Sequence, residues 1–431
     1  MSIKSSLFFF FLVPLLFESS FPAFLAPITK DLAKTKYSLS IYLRTPPQPT
    51  NLLLDLGASF TLLDCSSNYT SSTYRTIPCG SSLCNSLGSS CTLCSGSSGP
   101  GCSNNSCALL LGKSPKLITG EAGFDSLYLH VTNGRNPGRL EVIPEFMFSC
   151  TKKSLLKGLV KGASGLTGFG RSTLSLPAQV SNFSSENSIF TLCLSGSPSA
   201  PGVAFFGIDG PYNFHPEIDL SKHFNYTPLM LNRVGSRTIS YTDSSNEYFI
   251  GLTSIKVNGK AIEFDRTLLS TRKNGFGGTK LSTITPYTVL QTTIFNALSV
   301  AFVNELARFN LTVTMPVKPY KVCYEAKDIL STHVGPSVPT IDLVLHDEDV
   351  VWRIFGSNSM VRVFRDGGDH LWCLGFLDGG LKPKTSIVIG GHQMEDNLLQ
   401  FDLESKRLGF TSSVLVHGTM CANFNFTMQD Q

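Results

Sequence analysis

Leu54-Asp55-Leu56-Gly57-Ala58-Ser59 sets an acidic residue in a turn at the end of the apolar run Leu52-Leu53-Leu54, and Gly165-Leu166-Thr167-Gly168 follows after a long interval. Further on, Leu281-Ser282-Thr283 puts a serine where the first figure has its aspartate, and Ile387-Val388-Ile389-Gly390 follows at nearly the same interval. A two-part figure that returns with its spacing kept is the mark of internal duplication. It predicts two lobes of like topology, each built around one member of the pair.

The rest of the chain agrees with that division. Its 431 residues exceed what one hydrophobic core serves, which also predicts two lobes. With 42% hydrophobic and 15% charged residues, 37 glycines and 23 prolines, the composition favours short strands joined by turns, so the expected class is all-β with a few short helices. Tyr37 to Leu43 alternates in strand fashion, and further strands are expected at Phe146–Ser149, Val203–Phe206, Tyr248–Leu252, Ser254–Val257 and Ile387–Ile389. One long helix is predicted, capped by Thr285, with Pro286 at its first position and Leu290, Ile294, Leu298, Phe302 and Leu306 along one face. A shorter one is predicted at Pro177–Val180.

Lys4 precedes the apolar run from Leu7 to Phe17, which is followed by small and polar residues. That pattern is a secretory leader, assigned to residues 1–26; the run contains Pro14 and falls short of the ~20 residues a spanning helix needs. The lobes are then expected at 27–210 and 211–431. All 12 cysteines lie beyond the leader, and an even number in an oxidising compartment predicts disulfides rather than metal ligands. Seven of them crowd into a Ser/Gly-rich insertion at 65–107, where cross-links replace a core. Cys91-Thr-Leu-Cys94 has no second such pair and no nearby histidine, so no metal or cofactor is expected. Glycosylation sequons stand at Asn68, Asn104, Asn182, Asn225, Asn310 and Asn425. A net charge of +4 without any Lys/Arg cluster points away from nucleic acid and towards acidic wall polymers or an acidic protein partner.

The quoted segments, together with Leu174-Ser-Leu-Pro-Ala-Gln179 and Ile389-Gly-Gly-His-Gln393, resemble in order the landmarks of the pepsin-like aspartic proteases across nearly the whole mature chain. The resemblance implies a bilobal fold. It also implies a catalytic dyad of two carboxylates sharing one proton, one from each lobe. Asp55 supplies the first. Ser282 occupies the second aspartate's position and Ile284 that of the following glycine, while Leu56 replaces the usual hydroxyl residue. A serine hydroxyl cannot hold the shared proton, so protease activity is not expected. The flap stretch Cys107-Ala-Leu-Leu-Leu-Gly112 carries leucines where such proteases carry a tyrosine.

Longer strings, Gly277 to Leu290, Gly335 to Leu345, Thr385 to Asp402 and Cys421 to Phe426, resemble the plant extracellular dermal glycoprotein family. Its relatives are xyloglucan-specific endoglucanase inhibitors, wheat xylanase inhibitors and seed basic 7S globulins. That resemblance implies a secreted, wall-located inhibitor of microbial glycoside hydrolases of family 11 or family 12 type, which hold paired carboxylates in an open cleft. Its implied contacts are His417, ahead of Cys421, and Lys384, where the glucanase inhibitors carry an arginine. The isolated histidine and lysine read equally well as solvated surface. The resemblance further implies the pairs Cys323–Cys373, Cys193–Cys421 and Cys65–Cys150. Two alternatives stay open: a storage or binding protein that takes a small cystine-rich peptide, and a residual protease.

Overall fold

The computed structural model describes residues 22–428 apart from 67–68, 88, 93–98, 112–117, 157, 185–187, 235–243 and 366–369. Six antiparallel strands join the two halves of the chain. Ala23–Asp31, Gly202–Phe206 and Ile189–Cys193 come from the first half. Leu398–Asp402, Arg407–Phe410 and Asn225–Met230 come from the second. The two triplets meet where Ile189–Cys193 pairs with Leu398–Asp402. Both of these strands are buried at every residue, as their near-continuous apolar sequences require. Phe190 and Phe401 stack at the seam with ring centroids 4.6 Å apart. Of the polar exceptions, Thr191 and Gln400 are both bonded to the Tyr212 hydroxyl, and Asp402 is paired with Arg407.

Each half then repeats one parallel pairing. Gln48–Asp55 runs beside Gly165–Gly168 with Asp55 opposite Gly168. Thr279–Leu281 runs beside Ile387–Ile389 with Leu281 opposite Ile389. The duplicated figure in the sequence is therefore the same crossing made twice. Its glycines are demanded by space: a Cβ on Gly168 would lie 2.6 Å from the Ala58 carbonyl oxygen, and one on Gly390 2.3 Å from the Tyr287 carbonyl carbon. A long hairpin, Ile118–Thr132 with Pro137–Thr151, dominates the first lobe. Among the described residues the second lobe adds four small sheets, one of them formed by Cys323–Glu325, His370–Leu374 and Met360–Phe364.

Two boundaries differ from expectation. Residues 23–26, assigned to the leader, belong to the strand Ala23–Asp31, where Phe24, Leu25 and Ala26 are buried against Gly202–Phe206. The long helix spans Thr292–Ala307 and is capped by the Gln291 side chain, not by Thr285. The Thr285 and Pro286 carbonyls, which would open an earlier helix, instead accept from the amides of Gly391 and His392. Leu290 lies in the short strand Thr288–Leu290. Ile294, Leu298, Phe302 and Leu306 do form the buried face. The short helix runs from Leu176 to Ser184.

Among the described residues, disulfides join Cys65 to Cys150, Cys79 to Cys91, Cys84 to Cys107, Cys193 to Cys421 and Cys323 to Cys373. Cys94 lies outside the described residues. The Cys193–Cys421 bridge fastens the C-terminal tail to the seam between the lobes.

Candidate functional site

The two turns meet through one threonine. The Thr283 hydroxyl accepts from the Leu56 amide at 3.1 Å and donates to the Leu54 carbonyl at 2.8 Å, so it crosses from the second turn into the first. Leu56, fully buried, has no hydroxyl with which to return the contact. Asp55 and Ser282 each precede a residue of this junction. Asp55 is 5% exposed and accepts from the Gly57 amide at 2.9 Å. Ser282 hydrogen-bonds the Thr285 hydroxyl at 2.9 Å, and its amide donates to the Ile389 carbonyl. A carboxylate therefore faces the junction from one lobe and a hydroxyl from the other.

A segment of the second lobe lies over the first turn, which no sequence motif announced. Asn246 donates to the Ser59 hydroxyl at 2.7 Å and accepts from the Arg171 amide. Glu247 sits above Gly57, where an added Cβ would come within 3.0 Å of its Cγ. The Glu247 carboxylate is held by Lys280 at 2.6 Å and by the Ser245 hydroxyl. This ion pair is nearly buried, so its partners hold each other in place rather than reach out to a ligand. In the flap strand, Leu109 is buried. Gly112, at the end of the flap stretch, lies outside the described residues.

His417 ends the one-turn helix Val414–His417, which Ser413 caps and Gly418 closes in the left-handed conformation. Its ring stacks on His223, with centroids 3.8 Å apart and planes 23° from parallel. Burial, and then the neighbouring His223, hold its pKa below the ordinary histidine value. His223 is another residue that sequence reasoning missed; it lies far away in the chain, at the end of the turn Leu220–His223. Lys384 is half-buried, and its carbonyl accepts from the Gly277 amide ahead of the strand Thr279–Leu281. His417 and Lys384 are thus anchored on different elements. Asn104, Asn182, Asn225, Asn310 and Asn425 are all exposed, while Asn68 lies outside the described residues. Among the described residues no helix is long and apolar enough to cross a membrane.

Comparison with known proteins follows the same geometry. Residues 37–208 match the family model described as xylanase inhibitor N-terminal, and residues 247–412 the one described as xylanase inhibitor C-terminal. The chain is 47% identical over 418 residues to a probable aspartic proteinase GIP2 of Nicotiana benthamiana, covering 95% of this chain and 94% of that protein. It is 41% identical to gamma conglutin 1 of Prunus dulcis over 93% of this chain and 88% of that one. The crystal structure of edgp superposes with a TM-score of 0.90 at 46% identity, covering 95% of this chain and 99% of the other. The crystal structure of basic 7S globulin from soybean superposes with a TM-score of 0.77 at 30% identity, covering 94% and 98%. Matched in order through both lobes, this chain belongs to the xylanase-inhibitor-type family of plant pepsin-like proteins, whose members are generally non-catalytic.

Proposed function

We propose that the protein is a secreted, proteolytically inactive inhibitor of microbial cell-wall-degrading glycoside hydrolases, of the family 11 or family 12 type, acting outside the cell. The observation that carries this reading is the match of both lobes to xylanase-inhibitor family models in a chain whose two dyad positions hold one carboxylate, Asp55, and one hydroxyl, Ser282. A lone Asp55 opposite a serine cannot share a proton between two acids, and Glu247 with Lys280 occupies space beside it. Without peptide cleavage to perform, the fold acts in this reading through its surface loops. The 414–420 loop, with His417, and Lys384 are the contacts proposed for the hydrolase's paired carboxylates; charge-assisted hydrogen bonds there would exclude substrate. The exposed sequons suit a glycosylated extracellular protein.

The test is titration of the secreted protein against one xylanase of family 11 and one xyloglucanase of family 12. Stoichiometric loss of either activity is expected. No inhibition of either at excess protein would overturn the reading and favour the second one, a storage or peptide-binding protein. That alternative is favoured specifically by the likeness to gamma conglutin and to basic 7S globulin, and its ligand would be a small cystine-rich peptide.

A further inference from the structure

A groove of about 740 Å³ opens on the second lobe between the end of the strand Asn225–Met230 and the loop that follows Leu269. Its aliphatic lining includes Met230 and Leu231, which are 47% and 49% exposed. Around this apolar surface stand Arg233, Arg272, Lys273 and His346, all exposed, and among the described residues no carboxylate lines the groove. Arg233 and Lys273 make no ion pair among the described residues. Arg272 acts on Asp265, whose carboxylate is already bonded to Thr267. Some exposed cations elsewhere on this lobe are paired, Lys260 and Arg308 with Glu305, Lys321 with Asp378, Arg353 with Asp342 and Arg365 with Glu325, whereas Arg266, Lys318, Lys382 and Lys406 stand scattered outside the groove. Asp347, Glu348 and Asp349 lie in the turn after His346 and do not line the groove.

Three exposed cations gathered over an exposed aliphatic surface match a ligand with repeated negative charge and apolar faces. A chain of uronate sugars has both: one carboxylate on each ring, and rings whose C–H faces lie flat on aliphatic side chains. An acidic peptide carries its carboxylates on flexible side chains and lacks the C–H face of a ring that bears one. We propose that this groove binds an anionic, uronate-type polysaccharide, separately from the contact with a glycoside hydrolase. The loop carrying Arg272 and Lys273 is rigid enough to present them: the Arg272 amide donates to the Phe276 carbonyl, and the Gly275 amide to the Arg272 carbonyl.

The experiment is calorimetric titration of the full secreted protein with oligogalacturonate and, separately, with a neutral cello-oligosaccharide, at low and at physiological salt. Binding of oligogalacturonate alone, weakened by salt, is expected. The triple substitution Arg233→Gln, Arg272→Gln, Lys273→Gln should lower the affinity by about tenfold or more, since charge-assisted contacts are lost, while the melting temperature stays unchanged because all three side chains are exposed. Absence of binding by the parent protein, equal binding of the neutral sugar, or equal affinity in the triple variant would each overturn the proposal. Hydrolase inhibition, measured in parallel, should survive the triple substitution. If the variant loses inhibition and the parent binds no uronate, the groove is part of the hydrolase contact and the proposal fails while the inhibitor reading stands.

Discussion

At position 417 an imidazole lies against a second imidazole, and burial together with that neighbour depresses its pKa. The free loop therefore presents a ring that is readily neutral near neutral pH. A carboxylate from a hydrolase would favour the imidazolium, so complex formation takes up a proton and tightens as pH falls through the pKa of the complexed ring. Inhibition constants measured across pH 5 to 8 should weaken as pH rises, and His417→Ala should both flatten that profile and raise the constant by about tenfold or more. Unchanged inhibition by His417→Ala and by Lys384→Ala would remove both residues from the contact. Ser282 sets a different limit at this scale. Ser282→Asp restores a second carboxylate, yet Leu56 still supplies no hydroxyl to answer Thr283, and the Glu247–Lys280 pair still sits beside Gly57. No pepstatin-sensitive cleavage of a denatured substrate at acid pH is expected from that variant; measurable cleavage would show the remaining site to be sufficient.

Among the elements, the two parallel crossings are the most tightly constrained parts of the chain. Gly168 is surrounded by the backbone of Ala58 and Phe60, and Gly390 by that of Tyr287. Backbone atoms cannot turn aside as a side chain can, so Gly168→Ala and Gly390→Ala should each cost about 1–3 kcal/mol or more, seen as a lower midpoint in denaturant unfolding. These crossings were legible in the sequence for the same reason: where only glycine fits, the residue type itself carries the information. The helix start was not legible. Thr285-Pro286 has the chemistry of a helix opening, but the carbonyls of both residues accept from Gly391 and His392, which come from the far end of the lobe. Leu290 fits the helical spacing and the strand equally well, and only the pairing with Ile387–Ile389 decides between them. Asn246, Glu247 and His223 were invisible for a related reason. None stands in a local pattern, and each acquires a role from a partner brought in by the tertiary fold.

For the molecule as a whole, the lobes are also tied together by a buried charge cluster whose proton count makes their junction sensitive to pH. Lys30 and Tyr37 come from the first lobe and His392, Glu395 and Asp396 from the second. Glu395 accepts from the Tyr37 hydroxyl at 2.5 Å and pairs with Lys30 at 2.6 Å and His392 at 3.1 Å. The other ring nitrogen of His392 faces the Met360 carbonyl at 3.0 Å, so both nitrogens meet acceptors. Burial pushes Glu395 up, but His392 and Lys30 outweigh it and leave its pKa below the ordinary value. Asp396, deeply buried beside it, is pushed up to about 6 by burial and then by Glu395, against the Cys421 and Gly196 amides. The two carboxyls act in opposite directions. A depressed Glu395 stabilises the fold above its ordinary pKa of 4.5, and that contribution is lost as pH falls below it. A raised Asp396 stabilises the fold at low pH, and its contribution is lost as pH climbs from 3.8 through about 6. Their sum is greatest in mildly acidic solution. Thermal melts from pH 4 to 8 should therefore show stability falling by on the order of 2 kcal/mol as Asp396 ionises. Asp396→Asn, which holds the side chain neutral at every pH, should remove that fall while leaving the acid limb governed by Glu395. A melting profile with the same slope in parent and variant would mean that Asp396 ionises without cost to the junction of the lobes.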